Sequence, residues 1–203
     1  MSESNVTPTR SAFLELMEER AGMQEGYGFL DEKRLILAAE ILRELTLWEE
    51  EMTAFRGDYA KAAAALRAAA ARHGLQGLEL YPPAPCPTME LPLRKRGVLG
   101  VTLQELDQVG GEEGPFPASL EPSPEAEQSR RAFSNLLPRA ARLAVRAGNL
   151  ERLRLEYSRT ARRARALEDV LLPEIDETLK GIDAALEELD REEAVRVRRR
   201  VFR

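Results

Sequence analysis

Two long stretches of helical hydrophobic period flank a middle that has none. The first runs from about Thr9 to His73. Its early inward positions read Phe13, Leu16, Arg20, Met23, Tyr27, Leu30, Arg34, Leu37 and Ile41. From Leu45 they continue as Leu45, Trp48, Met52, Phe55, Tyr59, Ala62, Leu66 and Ala69, alternating three and four. That spacing keeps one apolar seam on one partner helix over many turns. Ile41 to Leu45 is four residues where three would fit, which predicts a stutter and local unwinding. Gly22, Gly26 and Gly28 predict a portion that is looser or held by something outside it, since each costs about 1 kcal/mol of helix propensity. The alanine-rich Ala60–Ala71 permits close backbone approach, and Gly74 and Gly77 are expected to end the helix. About 60 residues at ~1.5 Å each give a rod of roughly 90 Å, suited to reaching and transmitting.

The middle, about residues 78–122, carries Pro82, Pro83, Pro85, Pro87 and Pro92, which forbid a continuous helix. Met89–Leu93 and Val98–Leu103 are short apolar stretches around Arg94-Lys95-Arg96-Gly97. They are expected to pair as a small β-hairpin with that tetrapeptide as its turn. Ser123-Pro124-Glu125 then opens a second helix with a capping serine, proline and first-turn acid. The period carries it to about Arg200 through Leu136, Leu143, Leu150, Leu153, Tyr157, Ala164, Leu167, Leu171, Ile175, Leu179, Ile182, Leu186 and Leu189. One extra residue enters near Pro173, where a bend is expected. The predicted fold is all-α: a long antiparallel two-helix coiled coil with a small irregular segment at one end. The boundaries are 1–77 for the first helix, 78–122 for the middle and 123–203 for the second helix.

Composition agrees with helices buried on one stripe. The charged fraction is 32% and the aromatic fraction 5%, with a net charge of −5 that disfavours nucleic acid and anionic lipid. Met1–Arg10 is polar, so no secretory signal is expected, and no apolar run reaches the ~20 residues that cross a bilayer. A single cysteine, Cys86, fits a reducing cytoplasm. Charge is segregated along the second helix. Residues 130–165 hold eleven arginines, and residues 166–193 hold eleven acids. Read antiparallel, the arginines fall beside Glu40, Glu44 and Glu49–Glu51.

Catalytic chemistry is not evident. One histidine and one cysteine are too few for a metal cluster, and no phosphate-binding G-x-x-x-x-G-K-[ST] loop occurs. His73 is placed to meet the last carbonyls of its helix. Its pairing with Cys86 as a nucleophile lacks an orienting third group. No cofactor is implied. From the residues alone, a shaft-like subunit, a helical-hairpin scaffold and a homo-oligomeric coiled coil stay open.

One string is more specific: Thr160-Ala-Arg162-Arg163-Ala-Arg-Ala-Leu167-Glu168-Asp-Val170-Leu-Leu-Pro173, followed by Leu189-Asp-Arg-Glu192-Glu193, Val195 and the basic Arg198-Arg199-Arg200. It resembles the C-terminal helix of the D subunit, the central-stalk component of V-type and archaeal-type rotary ATPases. Pro8-Thr9-Arg10 resembles that family's opening, and Leu30-Asp31-Glu32-Lys33-Arg34 an internal segment. The acidic Leu14–Arg20 stretch departs from the family's basic one. The resemblance implies a non-catalytic rotor shaft, cytoplasmic and peripheral to the membrane. It implies as partners the alternating A and B head subunits, a small F subunit on the shaft, and a funnel-like subunit on the membrane ring. It places Pro8, Thr9, Arg10, Arg196, Arg198, Arg199 and Arg200 in the head. A non-motor scaffold or export-chaperone-like protein is the alternative.

Overall fold

The computed structural model describes residues 7–82, 91–107, 117–119 and 122–201. Among the described residues the chain is all-α except for one two-strand sheet. Helix α1 spans Arg10–Glu79, strands β1 and β2 span Leu93–Val98 and Val101–Leu106, and helices α2, α3 and α4 span Pro124–Ser134, Leu136–Ala166 and Leu172–Val201. A π-helical turn, Leu167–Leu171, joins α3 to α4. Contacts divide the chain into two units, one made of Met1–Ile36 and Tyr157–Arg203, the other of Leu37–Glu156.

In the Leu37–Glu156 unit the ion pairs give the direction and register. Glu44 meets Arg146 at 3.5 Å, Glu51 meets Arg142 at 3.1 Å, Asp58 meets Arg139 at 2.9 Å and Arg72 meets Glu125 at 2.8 Å. One helix ascends as the other descends, so they run antiparallel. The expected stutter is absent. Beyond Ile41 the inward positions are Glu44, Trp48, Glu51, Phe55, Asp58, Ala62, Ala65 and Ala69, none of them exposed. These continue the three–four alternation of the first half without a break. Leu45, Tyr59 and Leu66, expected inside, are 36%, 53% and 43% exposed. The reason is chemical: acids occupy inward positions because arginines stand opposite. Such polar layers cost stability and specify register in a coiled coil. Of the expected acid partners, Glu44 and Glu51 meet the arginine block directly and Glu40 meets Arg96 instead. Glu49 and Glu50 lie exposed.

Close approach near the end of the pair uses small residues, as expected. Ala62, Ala69, Ala126 and Ser129 are all buried. Gly74 breaks α1 with φ 68° and ψ 168°, a backbone only glycine adopts readily. Gly77 does not stop the chain, and a last helical turn continues to Glu79. Ser123 caps α2 by accepting from the Ala126 N–H at 3.3 Å, with Pro124 in the first turn. The second helix is interrupted at Asn135, which was not foreseen. Pro138 explains it, since its ring has no N–H to donate and crowds the carbonyl four residues back, at Ser134.

The sheet is an antiparallel hairpin, with Val98 opposite Val101 and Arg96 opposite Leu103. Its turn is Leu99-Gly100, not Arg94–Gly97. Both turn residues have positive φ, 45° and 87°, as a two-residue hairpin turn demands. Arg94, Lys95, Arg96 and Gly97 therefore lie within β1. The intervening chain leaves at the Gly74 end of the helix pair, while the strands fold back along it. Arg96 reaches Glu40 and Glu44, and Gln104 meets Asn149.

In the other unit, Arg20 pairs with Asp176 at 2.5 Å and Tyr27 lies beside Glu168, again antiparallel. Gly22, Gly26 and Gly28 sit in uninterrupted helix. A Cβ on Gly26 would meet Leu167 at 4.0 Å, so the glycine brings the helices close. The extra residue near Pro173 appears as the five-residue π turn, whose Leu172 N–H donates to Leu167 O. The inward step passes from Leu167 to Leu172. Leu171, expected inside, is 39% exposed, and Leu189 is 48% exposed.

Candidate functional site

The docked hairpin is the most elaborate polar arrangement among the described residues. Asn149, from the middle of α3, is 2% exposed. Its amide donates to Gln104 O at 2.7 Å, and its oxygen accepts the Gln104 N–H at 2.8 Å. One side chain thus completes the outer edge of β2 as a neighbouring strand would. Arg152 adds bonds to the Asn149 oxygen at 3.2 Å and to Gln104 Oε1 at 3.3 Å. On the hairpin's inner face Val101 and Leu103 are buried. Arg96 on the same face pairs with Glu40 and, at 3.0 Å, with Glu105. Burial alone would raise the Glu40 carboxyl, but hydrogen bonds from Arg43 and Arg96 outweigh it and hold it below its ordinary value. A cavity of about 330 Å³ remains beneath β2, lined among others by Arg43, Glu44, Asp107 and Arg146. Its charges are of both signs and largely paired with one another. Among the described residues no group of three or more His, Cys, Asp or Glu is placed to hold a metal ion.

The expected partner-binding residues lie on open surface. Thr9 caps α1, accepting the Ala12 N–H at 3.2 Å, and Pro8, Thr9 and Arg10 are exposed. The Arg20–Asp176 pair sets the local register: counting ten residues each way brings Arg10 level with about Leu186. Helix α4 runs on to Val201, so its last ~15 residues, about 22 Å, pass beyond the start of α1. Every residue from Glu187 to Arg200 is exposed, including Arg196, Arg198, Arg199 and Arg200. Arg196 pairs with Glu192 at 3.2 Å within its own helix. The structure does not bring Pro8–Arg10 together with Arg196–Arg200: the two sets stand at different heights, and no hydrogen bond or ion pair joins them among the described residues.

The Thr160–Pro173 string divides by face. Thr160 is buried and Leu167 half-buried, whereas Arg162, Arg163, Glu168, Val170 and Pro173 are exposed. His73 stands at the end of its helix as expected, its ring edge-on to Tyr81 at 5.6 Å. Cys86 lies outside the described residues. Sequence reading missed Asn149, Arg96 and Asp58, and it set Glu44 and Glu51 beside the arginines without placing them at inward positions. Only the inward acids had left a signal, because an unbroken alternation from Ile41 lands on Glu44.

Together these features define a class: antiparallel helix pairs with a docked β-hairpin and exposed outer faces. The chain matches the ATP synthase D-subunit family over residues 12–200. It is 29% identical to the D subunit of the V-type ATP synthase of Thermotoga neapolitana over 200 residues, covering 96% of both chains. It is 30% identical to the D subunit of the A-type ATP synthase of Pyrococcus furiosus, covering 96% of this chain and 92% of that one. It is 28% identical to the same protein of Methanopyrus kandleri, covering 96% and 85%. The chain belongs to the ATP synthase D-subunit family. No helix among the described residues is long and apolar enough to cross a membrane.

Proposed function

We propose that this protein is the central shaft of a rotary ATPase. It transmits torque between the ion-translocating ring in the membrane and a catalytic head of A and B subunits. The shaft itself catalyses nothing. Ion flow turns ring and shaft together, and the shaft drives the head's sites through their states, making ATP; hydrolysis runs the same path backwards. The end bearing Pro8–Arg10 and Arg196–Arg200 enters the head. The small F subunit binds lower on the shaft, and the end near Gly74, from which the middle segment departs, seats on the funnel-like subunit above the ring. The protein then works on the cytoplasmic side, peripheral to the membrane.

Family membership along nearly the whole chain is the observation that carries this reading. The inward ion pairs support it, because layers that fix register resist one helix sliding past the other under load. Co-purification tests it. This chain is expressed with the A and B subunits of its own source, only the head carrying a tag. Recovery of one copy per head is expected. A head that assembles and leaves this chain behind, even with the F subunit present, sinks the proposal and favours a free-standing scaffold.

A further inference from the structure

Strand β1 presents an open edge. In an antiparallel pair every second residue turns its N–H and C=O away from the partner strand. Gln104 of β2 is such a residue, because both of its groups go to Asn149, at 2.8 and 2.7 Å. Lys95 stands opposite Gln104, so its own N–H and C=O point away from the sheet at the other edge. Leu93 and Gly97, two positions to either side, repeat that direction. No hydrogen bond reaches these outward groups among the described residues. The fold thus closes the edge of β2 with one side chain and leaves the edge of β1 bare, with Leu93, Lys95 and Gly97 all exposed. Such a row of unmet donors and acceptors is a template for one more strand, and only extended backbone can meet it in step.

The side chains say which strand fits. Successive residues alternate faces, and Arg96 reaches Glu40 on the inner one, so Leu93, Lys95 and Gly97 share the face turned from the helices. Arg94 and Arg96 are already paired, with Asp107 and Glu40, whereas Lys95 has no ion pair among the described residues. No atom lies within 4 Å of a Cβ built on Gly97, so an incoming ring has room there. A cross-strand acid complements an edge lysine, and a cross-strand aromatic covers an edge glycine. A second copy of β1 fits poorly, because Arg94-Lys95-Arg96 would set cations against cations. We propose that the edge of β1 takes an extended segment of a partner subunit, about five residues at ~3.3 Å each, with an apolar residue beside Leu93, an acid beside Lys95 and an aromatic beside Gly97. The proposal rests on the rotary reading only for the source of that segment.

The test is hydrogen exchange resolved to single amides, in the isolated chain and in the reconstituted complex of the source's own ATPase subunits. The Lys95 and Gly97 amides should slow by about tenfold or more on assembly, because they gain partners only there. Lys95→Glu should abolish the slowing at Gly97 and Lys95→Arg should keep it, while the thermal midpoint of the isolated chain stays unchanged in both, since Lys95 is exposed. A benzophenone amino acid in place of Leu93 should cross-link to one peptide of a partner that alternates apolar, acidic and aromatic residues. If the complex assembles but the two amides exchange as in the isolated chain, or stay slowed in Lys95→Glu, the added strand is wrong and the shaft reading stands. A Leu93 cross-link that reaches only a helix or a second copy of this chain has the same meaning. If no complex forms with this chain, both fall together.

Discussion

Replacing Asn149 by leucine keeps the side chain's branching and number of heavy atoms and removes both of its bonds to Gln104. Those bonds, at 2.7 and 2.8 Å, are the only backbone hydrogen bonds seen between the β-hairpin and the helices among the described residues. A typical protein hydrogen bond contributes about 1 kcal/mol net, so the pair is worth about 2 kcal/mol, with some further cost for the stranded Gln104 N–H and carbonyl. A two-strand hairpin is marginal on its own, so this loss should appear locally, as easier undocking of β1 and β2, and not as loss of the helix pair. At 1.4 kcal/mol per tenfold, 2 kcal/mol is about a 30-fold rise in exchange for the hairpin amides. Hydrogen exchange read by peptide is the assay. Peptides covering Leu93–Leu106 should speed up about 30-fold, and α1 peptides around Trp48–Ala69 should change little. Asn149→Asp should fall between, because a carboxylate accepts from the Gln104 N–H but cannot donate to its carbonyl. Unchanged hairpin exchange in Asn149→Leu would refute the clamp.

Three further outcomes follow from the core, the backbone and the charges. Leu153→Ala removes a fully buried side chain and should cost about 2–5 kcal/mol, read as a lower denaturant midpoint; a loss under ~1 kcal/mol contradicts its core placement. Gly74→Ala should cost about 1–3 kcal/mol although no atom lies within 4 Å of the added Cβ, because the φ of 68° with ψ of 168° strains any side chain; an unchanged thermal midpoint counts against the break. The Glu40 carboxyl sits below its ordinary 4.5 when folded, so the stability it contributes is full above that value and lost as pH falls through its lowered folded value. Melting from about pH 7 down to pH 3 should therefore fall more steeply for wild type than for Glu40→Gln; equal slopes contradict the Arg43–Glu40–Arg96 arrangement.

The helical hairpin was legible because apolar spacing survives averaging over many turns, and Ser123-Pro124 announced its second helix unaided. What hid the seam's true line was a search for apolar residues only. It followed Leu45, Tyr59 and Leu66 onto the outer face, and it set Glu44 and Glu51 beside the arginines without seeing that they, and Asp58, hold the inward positions. An acid at such a position makes sense only once its arginine is known to stand opposite, and that pairing depends on the register of a chain segment some 80–100 residues away. The π turn was half visible, as one residue too many near Pro173, but which leucine would turn outward depended on where the wider turn fell. Asn149 gave no local sign at all, since its role comes from a strand 45 residues earlier. The exposed terminal residues of α4 were legible as charge but not in height, because the overhang beyond α1 follows from the Arg20–Asp176 register.

Rotation of this chain against its head is the most direct test of the shaft reading. A Cys86→Ser, Lys95→Cys variant places one thiol on the exposed strand β1, where a bead can be attached while the head is fixed to a surface. On adding ATP, stepwise turning in one direction is predicted, stopping when ATP is withdrawn. A head that hydrolyses ATP at its full rate while the bead stays fixed relative to it contradicts torque transmission through this chain.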